Sequence, residues 1–176
     1  MRKRQPKLYG VILFKGASSE EENAKAYLQQ TNANKLEQYT DLFNSLAVKD
    51  ILLCRHQGLF TEGSHITDGP MEGIYSALRD TKSAKVANTL LIMSIDMPAS
   101  NLTIMRDLLN FGYAMQCAVH YSGFELPLYL PNNAENREFA KRVVTSKEDS
   151  SVKRYLNIIN STQVNSAEVA TLLASN

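Results

Sequence analysis

Hydrophobic positions along this chain fall into two alternating rhythms. Short, nearly continuous apolar runs recur at Leu8–Phe14 (LYGVILF), Asp50–Cys54 (DILLC) and Leu90–Pro98 (LLIMSIDMP). Runs of this length, bounded by turn residues, predict strands covered on both faces, as in a parallel sheet. Between them the apolar positions recur at three and four. Leu36, Tyr39, Leu42, Phe43 and Leu46 predict a helix from about Lys35, with Asn34 as its N-cap. Met71, Ile74, Tyr75 and Leu78 predict a second helix over Met71–Arg79, and Leu102, Met105, Leu108 and Leu109 a third over about Ser100–Asn110, with Gly112 at its end. Strand and helix in alternation predict a parallel sheet with crossover helices.

Past Gly112 the rhythm changes. Met115–Tyr121 and Phe124–Leu130 are two strand-like runs joined by Ser122-Gly123, a candidate hairpin. Helices are predicted over Asn133–Val144 and Ser150–Ile159, then a short extended piece at Val164 and a last helix over Ser166–Leu173 capped by Asn165 or Ser166. The expected fold is therefore a three-layer α/β sandwich. Its sheet is mostly parallel with an antiparallel part. Short extended pieces are also expected at Ala26–Gln30 and around Ile66.

At 176 residues the chain fits one domain, 1–176, with residues 1–7 (MRKRQPK) as a basic tail. A formal net charge of +1 gives no reason to expect a nucleic-acid partner. No apolar run approaches the ~20 residues of a membrane span, and no signal-peptide core follows the basic start. Cys54 and Cys117 lie in apolar runs and are expected as buried free thiols, so a cytoplasmic protein is expected. His56, His65 and His120 show no metal-ligand spacing.

Three stretches could carry chemistry. Asp96 stands just past the predicted strand Leu90–Pro98, on the sheet edge where α/β proteins bind ligands. A carboxylate there can hold Mg²⁺ and, through it, substrate phosphates; it can equally cap the next helix. The loop Lys15–Ala24 offers Gly16 for a tight exit, the hydroxyls of Ser18 and Ser19, and Lys25 as a cation at its far end. It lacks the two glycines and Lys-Ser/Thr pair of a Walker loop, and also reads as a solvated acidic surface loop. Asp68-Gly69-Pro70-Met71-Glu72-Gly73 puts glycines at a helix start, which suits either close approach to a ligand or a plain turn. Lys141, Arg142, Lys153 and Arg154 supply positive charge, at a spacing that also describes a solvated face.

These stretches resemble, in order, the motifs of the MobA-like nucleotidyltransferases, which include the molybdenum cofactor guanylyltransferases. KGASSEEENAKAYL (Lys15–Leu28) aligns without a gap on the signature GGxSxRMGxDKAxL. DGPMEGIYSAL (Asp68–Leu78) is similar to D…GPLAGIxxAL, SIDMP (Ser94–Pro98) to CDMP, FELPLYL (Phe124–Leu130) to a segment with a Pro-Leu pair, and VNSAEV (Val164–Val169) to INTPEDL. The resemblance implies a Rossmann-like sandwich of the nucleotide-diphospho-sugar transferase type, binding Mg²⁺–NTP in its first half. It carries base and phosphate contacts to Leu13, Phe14, Lys15 and Gly16, triphosphate neutralisation to Lys25, a nucleoside contact to Asp68, and the Mg²⁺ ligand to Asp96.

The implied reaction is GMP transfer from GTP, or another NTP, to molybdopterin or a similar phosphorylated acceptor, with Lys25 and Asp96 as the catalytic pair. The chain also departs from the signature: Lys15 replaces its first glycine, Phe14 an alanine, Glu20-Glu21-Glu22 its Arg-Met-Gly, and Ala24 the aspartate before Lys25. Carboxylates beside a triphosphate repel it. A second reading therefore stands: a MobA-like protein with impaired catalysis, binding a nucleotide or cofactor as a partner of molybdoenzyme maturation proteins.

Overall fold

A computed structural model describes residues 6–14, 32–55, 69–83, 88–98, 101–146 and 148–167. Strand β1 (Leu8–Phe14) is followed by helix α1 (Ala33–Ser45), β2 (Ile51–Arg55), α2 (Pro70–Asp80), β3 (Asn88–Ser94) and α3 (Leu102–Met115). The second half adds β4 (Val119–Tyr121), β5 (Leu128–Asn132), α4 (Ala134–Thr145), α5 (Val152–Ile158) and β6 (Thr162–Val164). The expected pieces at Ala26–Gln30 and Ile66 lie outside the described residues, as does the last helix beyond Ala167.

The six strands form one sheet in the order β2-β1-β3-β5-β4-β6. β1 pairs in parallel with both β2 and β3, and β4 with β6; β5 runs antiparallel to β3 and β4. All strands except β5 therefore point the same way, which is the mixed sheet expected from the change of rhythm after Gly112. The carboxyl ends of β1, β2, β3, β4 and β6 share one edge.

Two apolar clusters, one on each face, make this a three-layer sandwich. On one face α1 and α3 cover Ile12, Phe14, Leu91, Met93 and Tyr121. On the other, α2, α4 and α5 cover Val11, Leu13, Leu90, Ile92 and Leu128. Alternate residues of β1 and β3 go to opposite faces, and both faces are covered, so both strands read as continuous apolar runs.

Several boundaries differ from the sequence reading. α1 begins after Asn32, not Asn34. α3 runs through Gly112 to Met115, with Gln116 as its left-handed cap at φ 54°. Gly112 sits mid-helix because the Tyr129 ring packs where a side chain would stand. The expected strand Met115–Tyr121 therefore shrinks to three residues. Cys117 lies before β4 and is half-buried, whereas Cys54 is buried; both are free thiols.

The amino edge of the sheet is closed by a buried polar network. Asn132 Nδ2 donates to the Leu78 carbonyl and to Thr81 Oγ1, each at 2.8 Å, and Asn88 Nδ2 donates to the Thr81 carbonyl at 2.7 Å. Buried amides paired in this way join α2 to β3 and β5 without leaving an unsatisfied group.

Candidate active site at the carboxyl edge

The carboxyl edge is organised by the turn that ends β3. Its tip, Ser94-Ile95-Asp96-Met97, closes with the Met97 N–H donating to the Ser94 carbonyl at 3.1 Å. The Ile95 N–H donates to the Leu13 carbonyl at 2.9 Å, which continues the β1–β3 pairing one residue past the strand. Ile95 is buried and anchors the turn. Asp96 is exposed, and its N–H reaches Ser94 Oγ at 3.3 Å.

Asp96 does not cap α3. The N-cap of α3 is Asn101, whose side chain accepts from the Ile104 N–H. The capping alternative is thereby replaced: Asp96 is exposed at the carboxyl edge. Behind it, the Tyr39 phenol donates to the Met97 carbonyl at 2.8 Å. Burial, with the Asp96 charge adding to it, pushes that phenol up to about 12. Tyr39 is therefore a neutral brace, not an acid or base at neutral pH.

Leu13 and Phe14 end β1 beside this turn. Both side chains are fully buried, one in each apolar cluster. Both residues are 0% exposed, main chain included, and the Leu13 carbonyl already accepts from the Ile95 N–H. Phe14 registers with Arg55, the last residue of β2. α2 starts at the same edge: a Cβ on Gly73 would stand 2.7 Å from Leu13 Cδ2 and 3.0 Å from the Arg55 carbonyl oxygen. Only glycine lets the first turn of α2 approach the strand ends this closely. Pro70 occupies the first helical turn and Gly69 is the extended N-cap, so main-chain N–H groups of α2 stand at the edge.

Lys15, Gly16, Lys25 and Asp68 lie outside the described residues. Lys15 follows Phe14 directly and Asp68 precedes Gly69. The structure thus brings together Leu13, Phe14, Asp96 and the start of α2. Among the described residues no group of three or more His, Cys, Asp or Glu side chains gathers at one point. Mg²⁺ does not need one, since it is held by one or two carboxylates plus waters and substrate phosphates. An exposed Asp96 at the carboxyl edge fits that mode of binding.

Two of the four basic residues singled out in the second half, Arg142 and Arg154, are engaged locally. Arg154 Nη2 donates to Glu148 Oε2 at 2.9 Å, and Arg142 Nε to Glu138 Oε1 at 3.3 Å on an exposed helix face. Tyr39 was absent from the sequence-derived site. Its only signal there was a place on the apolar stripe of α1.

No protein-family model matches the chain, and no curated protein matches it. Solved structures do. A protein of Aquifex aeolicus VF5 superposes with a TM-score of 0.61 at 13% identity, covering 93% of this chain and 90% of the other. The 4-diphosphocytidyl-2C-methyl-D-erythritol synthase of Anaerococcus prevotii superposes with a TM-score of 0.50 at 9% identity, covering 96% and 97%. The chain shares its three-layer α/β sandwich fold with these two structures. Among the described residues no helix is long and apolar enough to cross a membrane.

Proposed function

We propose that the chain is a Mg²⁺-dependent nucleotidyltransferase that uses the carboxyl edge of β1 and β3. The observation that carries this reading is Asp96, exposed on the Ser94–Met97 turn. In the proposed site it would meet a metal–triphosphate. Nucleotidyl transfer requires positioning and charge neutralisation more than covalent catalysis. Asp96 would hold Mg²⁺, which when bound supplies charge to the transferring phosphoryl group. On the motif resemblance, Leu13, Phe14, Lys15 and Gly16 would line the nucleotide, Lys25 would neutralise the phosphates, and Asp68 would contact the nucleoside. An acceptor phosphate would attack the α-phosphate and pyrophosphate would leave.

The finer reading is GTP as donor and molybdopterin, or a similar phosphorylated acceptor, as the other substrate. It rests on five ordered motif resemblances, of which SIDMP, DGPMEGIYSAL and the Lys15–Leu28 loop bear on the nucleotide. One sequence observation favours the second reading, a catalytically impaired partner in molybdoenzyme maturation: Glu20-Glu21-Glu22 stands where the signature has Arg-Met-Gly.

Calorimetric titration with GTP, ATP and CTP, with and without Mg²⁺, tests the nucleotide site. Metal-dependent binding of one nucleotide supports the enzyme reading and names the donor. Absence of binding by a folded sample overturns it. Within that site, Lys25→Ala should abolish binding and Glu20→Arg should strengthen it.

A further inference from the structure

A concave site lies on the face of the sheet covered by α5. It is a cleft of about 290 Å³ between β4, β6 and α5. His120 and Gln163, registered neighbours on β4 and β6, form its floor; Lys153 and Asn157 come from α5, and Phe124 and Glu125 from the turn after β4. His120 is level with Leu128 and Ile92 across the sheet, two strands from β3 and four residues short of Asp96. At ~4.8 Å between strands and ~3.3 Å per residue, the two sites are on the order of 15 Å apart.

The imidazole of His120 is set in one orientation. Its Nδ1 lies 2.6 Å from the Phe124 carbonyl oxygen and 3.2 Å from that of Tyr121. Two carbonyls can only accept, so Nδ1 carries the proton and donates. In the neutral ring, Nε2 then holds the lone pair. No partner among the described residues takes Nε2, although the residue is only 5% exposed. A buried imidazole with its tautomer set from behind and its second nitrogen lining a cleft is arranged to meet a ligand.

The rest of the lining is polar and mixed. Among the described lining residues Lys153 is the one cation, and its neighbour Arg154 is already engaged by Glu148. Ser122 Oγ donates to Gln163 Oε1 at 3.4 Å, leaving the Gln163 amide N–H groups to donate elsewhere. Asn157 donates and accepts, Glu125 accepts, and the Phe124 ring gives an apolar wall.

We propose that this cleft binds a small hydroxylated anion, with its phosphate or carboxylate on Lys153 and a hydroxyl donating to His120 Nε2. The volume suits a compact ligand and is small for a nucleotide. The proposal does not depend on nucleotidyl transfer, and its test contains no nucleotide.

The test is NMR of ¹⁵N-histidine-labelled protein titrated with inorganic phosphate, glycerol 3-phosphate and lactate. Saturable movement of the His120 Nε2 resonance is expected with at least one hydroxylated anion. Glycerol 3-phosphate against lactate separates phosphate from carboxylate recognition, and inorganic phosphate alone tests the need for the hydroxyl. Lys153→Met, which keeps the aliphatic stem, should weaken that binding about tenfold or more. His120→Asn keeps a donor in the place of Nδ1 and removes Nε2. It should abolish binding, read by calorimetry, with the melting temperature little changed. Failure of all three anions to move His120 up to roughly 10 mM, the range of the weakest useful affinity, would overturn the proposal. So would equal binding by Lys153→Met, or inorganic phosphate matching glycerol 3-phosphate.

Discussion

The Tyr39 phenol donates to the Met97 carbonyl at 2.8 Å, joining α1 to the turn that carries Asp96. The two residues are 58 apart in sequence, and Tyr39 is fully buried. The turn is thus held from two sides, by this bond and by the Ile95–Leu13 main-chain bond at 2.9 Å. Removing the hydroxyl leaves the Met97 carbonyl short of a partner. Tyr39→Phe should lower stability by about 1 kcal/mol in denaturant melts and weaken Mg²⁺–nucleotide binding, because the Asp96 turn loosens. Unchanged stability would show that the bond is not formed in solution.

The same phenol makes stability depend on alkaline pH. In the folded chain burial pushes Tyr39 up to about 12, against about 10 when unfolded. Between those values the native state holds a proton that the unfolded state has lost. The contribution is complete below pH 10 and falls as pH rises toward 12. Tyr155, buried and donating to the Asn136 carbonyl at 3.0 Å, is pushed up in the same direction. Melting temperature should therefore drop across this window, and Tyr39→Phe should drop less steeply than the parent.

Gly112 provides a packing test. A Cβ there would stand inside contact distance of three Tyr129 ring atoms. Ala is the better helix former by about 1 kcal/mol, so propensity alone predicts that Gly112→Ala stabilises. Overpacking predicts the reverse, by about 1–3 kcal/mol. The ring is itself stacked edge-on against Tyr113 at 5.4 Å, which limits its retreat. A lower melting temperature by calorimetry is the expected result.

The two thiols should differ in reactivity. Burial pushes Cys54 up to about 12, so almost no thiolate forms at neutral pH. Cys117 is half-buried, with Sγ 3.3 Å from Thr162 Oγ1. Iodoacetamide at mildly alkaline pH should label Cys117 first and reach Cys54 only on unfolding, as read by peptide mass spectrometry.

The central fold was legible because β1 and β3 are buried on both faces. A strand so placed has an uninterrupted apolar run, as Leu8–Phe14 and Leu90–Met93 show. The short strands β4 and β6, three residues each, are too brief to display a period. Gly112 misled for a physical reason: glycine marks helix ends by its backbone freedom, but here it makes room for Tyr129. Asp96 was legible as an edge residue, while its exposed place there depended on the Leu13–Ile95 bond and on Asn101 taking the cap. The His120 cleft had no sequence signal, since its lining spans from His120 to Gln163 across four elements and turns.

The most direct test of the nucleotidyl-transfer account is calorimetry of Asp96→Asn with the preferred nucleotide, with and without Mg²⁺, beside a thermal melt. Asp96 is exposed and does not cap α3, so the variant should melt like the parent. It should bind the nucleotide equally weakly with or without the metal. Retained Mg²⁺ dependence in a folded Asp96→Asn protein would contradict the account.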